Sequence, residues 1–136
     1  MKILIAVASK HGSTREIAET IAAELRDAKH IVSVREADAV NEIARYDAVI
    51  LGSAVYMGTW LDAARSFAAQ HRAALAQRPL WLFSSGPLGA NFPERPDDPD
   101  QLALPLDGVE IRDHRVFVGK LDRRNFSFGE RLMAKV

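Results

Sequence analysis

Near its start the chain reads Ser9-Lys10-His11-Gly12-Ser13-Thr14-Arg15, a hydroxyl-rich stretch between the apolar run Ile3 to Ala8 and a segment of helical periodicity. A loop joining a strand to a helix start is built for an anion. The first backbone N–H groups of the helix have no internal acceptor, the macrodipole favours negative charge there, and short hydroxyls add donors. What the stretch lacks narrows the ligand. It has no G-x-x-x-x-G-K-[ST] triphosphate clamp, and Gly12 is its only glycine, so it is not the G-x-G-x-x-G of a dinucleotide site. A phosphomonoester fits, in a cup made by Ser9, Ser13, Thr14 and the neighbouring N–H groups. His11 stands where it can bond to the phosphate or a nearby carbonyl, and as a lone histidine it suggests neither a metal site nor a general base. Ser13 and Glu16 also match S-x-x-E, a capping box that would explain those two residues without a ligand. A cap leaves the other hydroxyls and Arg15 unexplained.

Two further stretches carry small polar residues and glycines: Gly52-Ser53-Ala54-Val55-Tyr56-Met57-Gly58 and Ser84-Ser85-Gly86-Pro87-Leu88-Gly89. In the first, Tyr56 lies between glycines, where an aromatic face can stack on a planar ring while backbone approaches its edge. Trp60, read as the beginning of the next helix, either shares that stacking or buries its ring against the sheet. The third stretch offers Ser84, Ser85 and the N–H groups beside Gly86 and Gly89 as donors to carbonyl or ring-nitrogen atoms. A phosphate and a flat heteroaromatic ring together describe a mononucleotide. His71 reads as partly buried structure and His114 as surface.

The elements that must position these loops follow from periodicity. Ile17, Ala18, Ile21, Ala22 and Leu25 recur at helical spacing, with Glu16, Glu19, Glu24 and Arg26 opposite. Residues 31–35 alternate as an edge strand, 38–44 read as a short helical connection, and 48–53 form a continuous apolar run, as a doubly buried strand does. Leu61, Ala64, Phe67, Ala68, His71 and Leu75 make a second amphipathic helix, ended near Pro79. Residues 79–85 read as a fourth strand, 86–113 as loop, and 115–119 as a shorter fifth strand. Such alternation predicts an α/β fold with an open, doubly wound parallel sheet, whose ligands bind at the carboxyl ends of the strands near the topological switch point.

Composition bounds the rest. At 136 residues with 48% hydrophobic content, the chain suits one domain, residues 1–136, with a sizeable core. The 18 basic and 18 acidic residues cancel, so no global field recruits nucleic acid. Without cysteine there is no disulfide, thiolate metal site or Cys nucleophile, so redox chemistry needs a bound cofactor. A phosphatase of this topology would need that Cys. A phospho-accepting receiver would need acidic residues where Ser9-Lys10 and Gly52-Ser53 stand. The apolar run at the start is too short for a signal peptide and no segment approaches a membrane span, so the expectation is a soluble cytoplasmic protein.

With its three loops the chain resembles the flavodoxin family, whose T/S-x-T/S-G-x-T phosphate loop looks like Ser9-Lys10-His11-Gly12-Ser13-Thr14. Residues 12–18 and 46–58 are similar to a subgroup that includes bacterial menaquinone-dependent protoporphyrinogen oxidase. The likeness runs from Met1 to about Arg124. It implies a five-stranded flavodoxin-like sheet in the order 2-1-3-4-5 and FMN as cofactor. By resemblance Ser9, His11, Gly12, Ser13 and Thr14 would hold the phosphate. The isoalloxazine would lie between the loop of Ser53, Ala54, Val55, Tyr56, Met57 and Gly58 and the loop of Ser84, Ser85, Gly86 and Gly89, with flavin N5 and C4=O facing backbone near Met57 and Gly58. No side chain need act as a catalytic acid or base, and no metal is implied.

Family members usually have a hydroxyl residue where His11 stands and a last helix after the fifth strand, whereas this chain ends at Lys135-Val136. The expectation is therefore a C-terminally truncated domain, with Phe126, Phe128, Leu132, Met133 and Val136 covering the bare sheet face or pairing two copies as a homodimer. Lys120, Arg123, Arg124, Arg131 and Lys135 make the tail basic; packing on the core is favoured over membrane contact. Three functions follow: an FMN-dependent oxidoreductase moving electrons from a reduced substrate towards a quinone, an electron carrier docking on redox proteins, or a flavin-free interaction domain. Charge balance argues against the carrier, since carriers of this family are usually strongly acidic.

Overall fold

Every side chain from Ile3 to Ala8 is buried, as a strand covered on both faces demands. That strand, β1 (Lys2–Ala8), lies in the middle of the sheet and runs parallel to two neighbours, β2 (Ile31–Glu36) and β3 (Ala48–Tyr56). The structure is a computed structural model that describes residues 1–9, 12–56, 59–86 and 104–118. After β3 come the two-residue strand β4 (Thr59–Trp60), β5 (Leu80–Gly86) and β6 (Asp113–Val118). The main path is β2-β1-β3-β5-β6, all parallel, with β4 pairing antiparallel to β3 alone. Leaving β4 aside, this is the expected 2-1-3-4-5 order of a flavodoxin-like sheet.

Helices fill the two faces. Helix α1 (Ser13–Asp27) lays Ile17, Ala18, Ile21, Ala22 and Leu25 against Ile3, Ile5, Val7, Ile50 and Phe83. The opposite face buries Leu4, Ala6, Val49, Leu51 and Leu82 beneath α2 (Asp62–Gln70), which contributes Ala64, Phe67 and Ala68. Odd positions of β1 therefore face one layer and even positions the other, the period of two that a pleated strand imposes. Helix α1 closes at a non-glycine: Lys29 takes a left-handed φ of 77°, and the N–H of His30 returns to the carbonyl of Leu25 at 3.1 Å.

Several boundaries differ from the periodicity reading. The helical connection expected over 38–44 is one 3₁₀ turn, Ala37–Ala39, because Val40 leaves helical geometry (φ −91°, ψ 120°). Val40, Ile43 and Tyr46 then all reach the core. The single helix expected after Leu61 is divided at His71 (φ −105°, ψ 12°) into α2 and the short α3 (Arg72–Leu75). The His71 ring is buried as expected and packs on Phe67 with 4.6 Å between ring centroids. Trp60 lies in β4 rather than at a helix start, and β6 begins two residues earlier than expected. Residues 119–136 lie outside the described residues, and with them the expectations about a last helix, a truncated domain, a basic tail and a homodimer.

Gly52 fixes how β3 meets β5. A Cβ at this position would fall within the ring of Phe83, which is fully buried and makes an edge-on contact with Phe117. The ring has no free space into which to swing. Gly52→Ala should therefore lower the unfolding free energy by about 1–3 kcal/mol through overpacking, measured by urea denaturation, and an unchanged midpoint would contradict this packing.

Candidate functional site

Parallel register brings the carboxyl ends of three strands into one row. Ala8 of β1 is level with Ser53 of β3, and Ser53 with Ser84 of β5; one step further on, Ala54 is level with Ser85. The three stretches singled out by their small polar residues therefore leave the sheet side by side. This is the strand edge at which open α/β sheets hold ligands.

At the end of β1, Ser9 is half-buried and its Oγ accepts the N–H of Gly12 at 2.9 Å, drawing the turn closed. Gly12 sits just before α1 with a left-handed φ of 88°, a conformation that favours glycine. The first intrahelical bond runs from the Glu16 N–H to the Gly12 carbonyl at 3.0 Å, so the N–H groups of Ser13, Thr14 and Arg15 have no helical acceptor. The capping box does not form: Ser13 is already the first helical residue and no side chain caps the helix. Its exposed hydroxyl stands one position too late to serve as the cap. Arg15 turns away to Glu36 at 2.9 Å and Glu19 at 3.6 Å, tying the first turn of α1 to the end of β2.

Thr14 is the telling residue of this turn. It is 1% exposed, and its Oγ1 has no hydrogen-bond partner among the described residues. A buried hydroxyl left unpaired costs about 1–3 kcal/mol, and this one lies in the first turn of a helix whose open N–H groups suit an anion. Lys10 and His11 lie outside the described residues.

The second stretch is more ordered than the glycines suggested. Strand β3 continues through Tyr56, and β4 pairs back onto it, with Val55 opposite Trp60 and Tyr56 opposite Thr59. Val55 is buried, Ala54 half-buried, and Tyr56 stands 54% exposed at the edge. Met57 and Gly58 lie outside the described residues. Ser53 anchors the hairpin from below: its buried Oγ donates to the Ala54 carbonyl at 2.8 Å and accepts the Leu61 N–H at 3.0 Å.

Trp60 does not stack at the edge. It is 1% exposed, inside the core, and its Nε1–H donates to Ser84 Oγ at 2.8 Å. The same oxygen lies 2.7 Å from Nε2 of His114, whose ring meets Trp60 edge-on at 6.1 Å. When Ser84 accepts from the indole and donates to Nε2, one hydroxyl serves both rings with the imidazole neutral. His114, expected at the surface, is buried, since β6 turns its 114 position towards Trp60. Period-two alternation with Val116 was the available signal. Ser85 is buried beside the row, Gly86 is half-buried, and Gly89 lies outside the described residues.

A family model described as a flavodoxin domain matches residues 4–136. Oxidised Flavodoxin 2 from Bacillus cereus superimposes with a TM-score of 0.77 at 25% identity, 100% of each chain being covered. A flavodoxin from Streptococcus pneumonia TIGR4 gives 0.73 at 25% identity, again over 100% of both chains. Rubredoxin oxygen:oxidoreductase from Desulfovibrio gigas gives 0.75 at 18% identity; the match covers 98% of this chain and 34% of that one. No curated protein matches the chain by sequence.

The Ser84 bridge has a measurable weight. Ser84→Ala removes the acceptor of a buried indole N–H and the contact to His114 Nε2, and should lower the unfolding free energy by about 2–3 kcal/mol. Ser84→Thr, which keeps the hydroxyl, should recover part of the loss. Equal urea midpoints for wild type and Ser84→Ala would show that the bridge carries no stability.

Proposed function

The chain belongs to the flavodoxin family, whose cofactor is FMN, and from this premise we propose that it is an FMN-dependent redox protein acting at the β1–β3–β5 edge. The observation that carries the assignment is the buried hydroxyl of Thr14, unpartnered among the described residues, in the first turn of α1 with its open N–H groups. Ser9, His11, Gly12, Ser13 and Thr14 would hold the phosphate. Tyr56 with Met57 and Gly58 on one side, and Ser85 with Gly86 and Gly89 on the other, would hold the ring. Ser53 and Ser84, whose hydroxyls are bonded within the protein, serve by fixing those loops from beneath.

When bound, FMN supplies the electron-transfer chemistry. The protein's part is to bind, orient and tune. Uncharged backbone and hydroxyl groups near the ring set its potential by hydrogen bonding, and Tyr56, exposed at the edge, is placed to cover one ring face.

The finer reading is an oxidoreductase passing electrons from a reduced organic substrate towards a quinone, like the subgroup containing menaquinone-dependent protoporphyrinogen oxidase. Its support is the likeness of residues 12–18 and 46–58, together with the equal numbers of acidic and basic residues. A balanced surface is poorly suited to electrostatic docking on basic redox proteins. The carrier reading has its own support, the full-length likeness to flavodoxins of Bacillus cereus and Streptococcus. Redox protein partners would then replace the small substrate.

Titration with FMN, followed by quenching of flavin fluorescence, tests the cofactor assignment. Thr14→Val should weaken FMN binding roughly tenfold to a hundredfold, while leaving the stability of the flavin-free protein unchanged or slightly raised. Absence of quenching by the wild type would reject the redox reading, and equal affinity for the variant would remove Thr14 from the phosphate site. Steady-state assays with quinones, set against assays with a flavodoxin reductase, then separate enzyme from carrier.

A further inference from the structure

On the β2 side of the sheet, the 37–47 segment and the end of β2 border an open pocket of about 310 Å³ whose arginines are solvent-exposed. Two guanidinium groups, Arg35 and Arg45, line it with the Tyr46 phenol, Asn41, Glu42 and the buried Val40. Six other arginines find partners: Arg15, Arg65, Arg112 and Arg115 pair with carboxylates, and Arg26 and Arg72 donate to backbone carbonyls. Among the described residues, Arg35 and Arg45 form no ion pair. Arg45 lies over the Tyr46 ring at 5.2 Å from its centroid, and its Nη2 donates to the phenol oxygen at 3.2 Å.

Tyr46 reports the field at the pocket. Burial pushes its phenol up, yet hydrogen bonds from Arg45 and Ser33 and the positive charges of Arg45 and Arg35 carry it below the ordinary value. Two exposed guanidinium groups bordering one pocket with a single carboxylate between them leave positive charge that an anion can neutralise. Glu42 supplies one negative charge at the lining, which leaves one positive charge over.

We propose that this pocket is a binding site for a small oxyanion, a carboxylate or a phosphate, held by Arg35 and Arg45 with Asn41 as a neutral donor. The planar guanidinium forks match the paired oxygens of either group. The pocket is at the small end of ligand sites, so it suits a compact anion rather than a nucleotide. The site is separate from the Thr14 turn and does not depend on FMN being bound.

The test is a titration of the full-length, isotope-labelled chain with inorganic phosphate and, separately, acetate, at constant ionic strength. Saturable shifts of the Val40, Asn41 and Arg45 amides are expected, and the stronger of the two anions tells phosphate from carboxylate. Arg35→Gln and Arg45→Gln, checked for folding by circular dichroism, should each weaken binding about tenfold. A second readout needs no arginine variant. In a Tyr56→Phe background the phenolate absorbance reports Tyr46 alone, and the bound anion should raise its midpoint. Saturation by neither anion, shifts confined to Ser13–Arg15, undiminished binding by the Gln variants, or an unmoved phenol midpoint would each overturn the site.

Discussion

Two parallel strands cannot be joined by a tight turn, and β1 is parallel to both β2 and β3, so the chain must cross back over a sheet face between successive strands. Each return brings every strand out at the same edge. The crossovers also cover both faces, which is why β1 can be apolar from Ile3 to Ala8 without alternation. The loops that follow β1, β3 and β5 are neighbours for this reason, not through any attraction between them. Residues far apart in sequence, Ser9, Tyr56 and Ser85, come to lie at one end of the sheet.

Within that edge, hydroxyl groups divide by what they bond to. Ser53 and Ser84 face inward and are engaged with backbone and with the Trp60 and His114 rings. Thr14 is as deeply buried but has no partner among the described residues. The contrast matters because neutral hydrogen bonds add only about 1 kcal/mol each, whereas a buried group without one costs as much or more. Arg15, in the first turn of α1, is held by Glu36 and Glu19.

The sheet was readable because its signal is local: unbroken apolar runs mark β1, β3 and β5, and the spacing from Ile17 to Leu25 marks α1. The glycine turn into α1 was readable for the same reason, as a strand, a glycine and hydroxyls lie within a few residues. What was misread depends on distant partners. Val55 and Tyr56 belong to a strand only because Thr59 and Trp60 fold back on them, and no periodicity over two residues can announce β4. His114 looks solvated between Asp113 and Arg115 until Trp60 and Ser84 are placed beside it. Ser13 and Glu16 carry the letters of a cap, yet the left-handed Gly12 starts the helix one residue too early for them.

The indole N–H of Trp60 is sealed in the core, donating to an oxygen that is itself fully buried. Water can reach that proton only when the ends of β4, β5 and β6 separate, so its solvent exchange keeps time for the opening of this part of the sheet. The tryptophan is therefore a resident clock: the rate at which its proton is lost measures how often this end of the sheet comes apart.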